Sequence, residues 1–152
     1  MNIALVGEDA PALCRIAGVD ASAFVLPADA AGRRWDLLAL TRTAAAARPF
    51  PEGLVTRTLL LPGDESDPAR AVRACQVIGY GFSPRDTLTL SSFTGAEPLL
   101  CVQRSVLTLR CSLIEPQELP LSPALHGLSA EQALLLSGLR LLAAEGGYFA
   151  AR

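Results

Sequence analysis

The chain has 152 residues, a formal net charge of −2, and 51% hydrophobic against 18% charged residues. That length suits one domain with a sizeable core, and that composition excludes a disordered chain. Acids and arginines are spread along the sequence, so it offers no basic footprint for nucleic acid or an anionic membrane, and no apolar run is long enough to span a bilayer.

The opening run Asn2 to Val6 predicts a first buried strand, turned by Gly7-Glu8-Asp9. Ala10 to Ala17 then reads as a short helix, with Asp9 as N-cap, Pro11 in the first turn and Gly18 as terminator. Ala23 to Leu26 is a second strand, stopped by Pro27, and Trp35 to Leu40 a third. Thr41-Arg42-Thr43 follows, then one helical turn over Ala44 to Ala47, ended before Pro49 and Pro51. Val55 to Leu61 is the next strand, closed by Pro62-Gly63-Asp64. Ser66 to Ala74 is a helix with Pro68 in its first turn, and Gln76 to Tyr80 another strand. Short apolar strands separated in this way imply a mostly parallel, Rossmann-like sheet covered on both faces.

After Gly81 the periodicity changes. Thr87 to Ser91 alternates polar and apolar residues, the mark of a half-buried strand. A turn over Thr94 to Glu97, a strand at Leu99 to Gln103, and a hairpin of Val106–Leu109 with Ser112–Leu119 complete an antiparallel meander of neighbouring strands. Pro116 removes a ladder donor, so the segment holding Glu115, Gln117 and Glu118 reads as an edge strand or bulge. Ser129 to Gln132 is a capping box that opens a helix running to about Glu145 and stopped by Gly146-Gly147. Six leucines spread round that helix, which is therefore buried on two sides, or buried once and used again in a homodimer or protein-partner contact. The reading is a single α/β domain. Residues 1–82 form the parallel part, 83–120 the meander and 129–145 a C-terminal packing helix.

The residue inventory limits the chemistry. All 13 basic residues are arginine, and His126 is the only histidine. A phosphate-binding loop ending in Gly-Lys-Ser/Thr is excluded, as are Schiff-base and lysine-base mechanisms. Cys14, Cys75, Cys101 and Cys111 form no CxxC pair and have no histidine at metal spacing. They are expected to be reduced thiols, with no metal site and no cofactor. No secretory leader is read at the start, where Glu8 and Asp9 follow the short apolar run, so a cytoplasmic location is expected. His126 has no Gly-x-Ser-x-Gly elbow to serve, and Gly79-Tyr80-Gly81 lacks the third glycine of a dinucleotide fingerprint.

Open parallel sheets bind ligands beyond the carboxyl ends of their strands. Four such ends occur: Gly7-Glu8-Asp9, Thr41-Arg42-Thr43, Gly63-Asp64-Glu65 and Gly81-Phe82-Ser83. Thr41, Arg42 and Thr43 offer two hydroxyls and a guanidinium to an anion, and Gly63 and Asp64 with Gly81 and Ser83 complete the candidate binding set. The same residue types also serve as ordinary turn and cap residues.

The run Leu59-Leu60-Leu61-Pro62-Gly63-Asp64, a helix, and then Val77 to Thr89 resembles the end of the central domain of Mur ligases. Those enzymes join amino acids to peptidoglycan precursors with ATP. The resemblance implies a strand ending in an acidic turn, with Asp64 on one acidic position, then a helix, a strand and entry into an antiparallel segment. It covers about Leu59 to Leu109, and the family's lysine-bearing phosphate loop, modified lysine and third domain are absent. The expected function is a non-catalytic cytoplasmic binding or accessory protein connected with cell-wall precursors. The alternatives are a small enzyme acting on a phosphorylated or nucleotide-sugar ligand through Thr41, Arg42, Thr43 and Asp64, and a homo-oligomeric structural protein.

Overall fold

A computed structural model describes residues 1–91, 98–125 and 127–144. The expected turn at Thr94 to Glu97, His126 and the helix stop at Gly146-Gly147 lie outside the described residues. The parallel half contains β1 (Ile3–Val6), α1 (Ala10–Ala17), β2 (Ser22–Phe24), β3 (Arg34–Leu40), α2 (Arg42–Ala45), β4 (Val55–Pro62), α3 (Ser66–Ala71) and β5 (Arg73–Tyr80). The second half contains β6 (Leu88–Leu90), β7 (Leu99–Val102), β8 (Val106–Leu107), β9 (Leu113–Ile114), β10 (Gln117–Pro120) and α4 (Ala130–Ala143). Short 3-10 turns at Pro27–Ala30 and Pro123–Leu125 sit between them.

The main sheet has eight strands in the order β10-β7-β6-β5-β4-β3-β1-β2, and β8 and β9 form a separate ribbon. β1 lies between β2 and β3 and is parallel to both. Strand order therefore reverses at β1, and the crevice beyond β1 and β3 is the topological switch point.

β1 and the C-terminal halves of β3 (Leu37 to Leu40) and β4 (Leu59 to Pro62) are continuously apolar because both faces of the sheet are covered there. Leu5, Leu37, Leu60 and Ile78 pack under α1 and α4, whereas Val6, Leu38, Leu59 and Leu61 pack on Trp35, Leu54 and the α2 alanines Ala44 and Ala45. Full burial of such a side chain contributes about 1.5–3 kcal/mol. α1 ends where Gly18 turns left-handed at φ 66° and donates to the Cys14 carbonyl.

α4 begins at the expected capping box. Ser129 Oγ accepts from the Gln132 N–H, and the Gln132 side chain accepts from the Ser129 N–H. Its leucines Leu134, Leu135, Leu136, Leu139, Leu141 and Leu142 are at most 1% exposed. They pack between the sheet, α1 and the Pro123–Leu125 turn, so two-sided burial within the chain is the alternative found. The homodimer contact expected of these leucines is corrected accordingly: they have no surface to offer it. Gly138 lets the helix lie close, since a Cβ there would meet Leu60 Cδ2 at 2.9 Å and Leu88 Cδ1 at 3.0 Å.

Three other local expectations change. α3 stops at Ala71, and the chain is already extended at Arg73, because Ala74 pairs with Thr56 in the parallel register of β4 and β5. β6 enters parallel to β5 rather than as its hairpin partner, with Tyr80 opposite Leu88. Among the described residues, the neighbour pairings of the meander are β6–β7 and β8–β9. β10 skips the ribbon and pairs with β7, Leu119 opposite Leu100, so that Leu119 is buried on the α4 face. β10 is an edge strand, as Pro116 predicts, and it carries Pro120 and the exposed Glu118.

Candidate functional site

The switch point is built on a close approach of two strand ends. Gly7 has φ 154°, and a Cβ there would lie 2.0 Å from Thr41 Oγ1. The Gly7 N–H donates to Phe24 and the Thr41 N–H to Val6, which fixes both ends in the sheet. Thr41 then caps α2, its Oγ1 accepting from the Ala44 N–H at 3.3 Å and lying 3.1 Å from Thr43 Oγ1. A cleft of about 160 Å³ opens here under the first turn of α4. Glu8, Asp9, Thr41, Arg42, Thr43 and Glu131 form its polar wall, and Leu13, Tyr80 and Leu135 its inner side.

Arg42 crosses this cleft. Its Nε donates to Glu131 Oε1 at 2.9 Å and its Nη2 to the same oxygen, and its Nη1 donates to Asp64 Oδ1 at 2.5 Å. Glu65 lies 3.7 Å from Nη1. The Glu131 hydrogen bond, with help from Asp64, holds the guanidinium pKa above its ordinary value against the opposing effect of burial. Arg48 extends the network to Glu65 at 3.0 Å and Asp67 at 3.1 Å. Such partly exposed pairs add little stability each, but together they fix α4's first turn against the turns after β3 and β4.

The Tyr80 hydroxyl donates to the Leu40 carbonyl at 2.8 Å. Burial, then the charge of Glu131, pushes its pKa above the ordinary 10.0. The phenol is therefore a fixed donor and not a base near neutrality. Because the folded state favours the protonated form, stability is fully present below pH 10.0 and is lost as pH rises beyond it. Tyr80→Phe should cost about 1 kcal/mol near neutral pH and flatten that alkaline loss, as read by urea unfolding at several pH values.

The predicted residues divide into two groups. Thr41, Arg42 and Thr43 line the cleft, and Asp64 joins them through Arg42. Gly63, Gly81 and Ser83 do not line it. They surround Asp86, which is 5% exposed and whose Oδ2 accepts from the Ser83 N–H at 2.9 Å. Glu131, Tyr80 and Asp86 escaped sequence reasoning. Glu131 and Arg42 are 89 residues apart, and only the strand order brings them together. Among the described residues, no group of three or more histidine, cysteine, aspartate and glutamate side chains is arranged to hold a metal ion.

No family model matches the chain, and neither does any curated protein or solved structure.

Proposed function

We propose that the chain is a small-molecule-binding protein whose ligand enters the switch-point cleft, in an accessory and non-catalytic role. The observation that carries this reading is the convergence of Thr41, Arg42 and Thr43 with Glu131 at the place where strand order reverses. A connection with cell-wall precursors is part of the proposal and rests on the resemblance of Leu59 to Leu109.

One observation favours a second reading, a small enzyme acting on a phosphorylated ligand: Arg42 and Asp64 lie together at the carboxyl ends of β3 and β4 and touch. The guanidinium that the phosphate would need is, however, already held by Glu131 and Asp64. Binding of the ligand beside this network, rather than chemistry through it, is the better match to the geometry.

Native mass spectrometry with a panel of amino sugars, UDP-linked sugars, amino acids and Mg-ATP tests the proposal. The expected result is one retained ligand mass that Thr43→Val, a change in the cleft wall beside this network, weakens. A wild-type chain that retains no member of the panel contradicts it.

A further inference from the structure

We propose that the switch-point cleft selects a small organic cation, a protonated amine carried on a hydroxyl-bearing scaffold. This rests on the reading of the cleft as the ligand site and adds the charge of what enters it.

The charged groups of the cleft wall are Glu8, Asp9, Arg42 and Glu131. Its single guanidinium is committed on both sides, through Nε and Nη2 to Glu131 and through Nη1 to Asp64, with Glu65 beyond. Glu8 and Asp9 are exposed and enter no ion pair among the described residues. Among the described residues, the wall therefore keeps two carboxylates outside any ion pair, and its one guanidinium is already engaged.

The helix ends sharpen this. In α/β folds the N-termini at a switch point commonly attract a phosphate. Here the chain places its own acids beside those positions: Asp9 stands at the N-cap position of α1 without a side-chain capping hydrogen bond, and Glu131 lies in the first turn of α4, where Ser129 already takes the Gln132 N–H. A phosphate approaching the cleft would meet carboxylates. An ammonium would meet acceptors on Glu8, Asp9, Thr41 and Thr43.

The test holds the scaffold constant and varies the charge. The full chain is titrated at low salt with D-glucosamine, D-glucose and D-glucose 6-phosphate, by ligand-observed NMR. Glucosamine should bind saturably, glucose more weakly, and glucose 6-phosphate not at all. Loss of each rim carboxylate should weaken glucosamine by about fivefold. Both sites are exposed, so Glu8→Gln/Asp9→Asn keeps the fold, and its combined loss for glucosamine should exceed tenfold and exceed any loss for glucose. Added salt should weaken glucosamine and leave glucose alone. Tighter binding of glucose 6-phosphate than of glucosamine overturns the charge assignment and leaves the cleft reading standing. Failure of all three sugars at millimolar concentration overturns this inference by itself, since the wider panel tests the cleft separately.

Discussion

Gly63→Ala is expected to destabilise the fold by about 3 kcal/mol, and Asp86→Ala is expected to rescue most of that loss. A Cβ on Gly63 would stand 1.6 Å from Asp86 Oδ1 and 2.8 Å from its Cγ, and one on Gly81 would stand 2.5 Å from Oδ2. Gly79 closes the same cradle at 3.4 Å from Oδ1. The carboxylate has nowhere to retreat, because Asp86 is 5% exposed and is tied to Ser83 through both its backbone and its side chain. Gly63→Ala must therefore expel it and break the Ser83 hydrogen bond. Asp86→Ala alone should cost about 1–2 kcal/mol, for the lost acceptor and the space left behind. With the carboxylate gone, the methyl at position 63 fills that space, so the double variant should be little worse than Asp86→Ala. Urea unfolding of the four proteins in the cycle gives the coupling directly. Additive losses would show that the cradle does not act as a unit.

Gly7→Ala should cost a similar amount, about 3 kcal/mol, and no change at Thr41 that keeps a Cβ should repair it. Two effects combine. φ of 154° is a conformation that a side chain resists, and the new Cβ would meet Thr41 Oγ1 at 2.0 Å, Cγ2 at 2.5 Å and Cβ at 2.7 Å. Rotating or trimming Thr41 to serine removes some of these atoms but not its Cβ. In a domain of this size the loss corresponds to a fall of roughly 10 °C in Tm. Because Gly7 and Thr41 form the floor of the switch point, the variant should also disturb Thr43 and Arg42, visible as amide shifts at both. A Gly7→Ala protein of normal Tm would mean that the two strand ends are not in contact.

How much of this is legible in the sequence depends on the range of the interaction. β1, β3 and β4 are bounded by their own apolar runs and turn residues, and the α4 capping box is a four-residue pattern, so these read directly from Ile3, Trp35, Val55 and Ser129. Arg73 and Ala74 read as the end of a helix because arginine and alanine are good helix formers, but pairing of Ala74 with Thr56 decides the matter. The alternation of Thr87 to Ser91 gives a strand without its direction. Only the parallel pairing of Tyr80 with Leu88 shows that β6 continues the wound sheet. At the site, Thr41, Arg42 and Thr43 are recognisable because they follow a buried strand. Glu131 is not, since nothing local places the start of α4 above that strand. Gly79 and Gly81 lack the third glycine of a dinucleotide fingerprint and read only as turn residues, whereas the side chain that a Cβ at either would meet first is the carboxylate of Asp86.

The central claim is that ligand binds where strand order reverses, and amide shift mapping of the isotopically labelled chain during titration with D-glucosamine tests it most directly. Perturbations centred on Gly7, Glu8, Asp9, Arg42, Thr43 and Glu131 are predicted. The opposite end of the sheet holds a larger cavity, about 650 Å³, bordered by Ile3, Val19, Ala124 and Arg140. Shifts confined to that cavity, with the switch-point residues unmoved, would contradict the account.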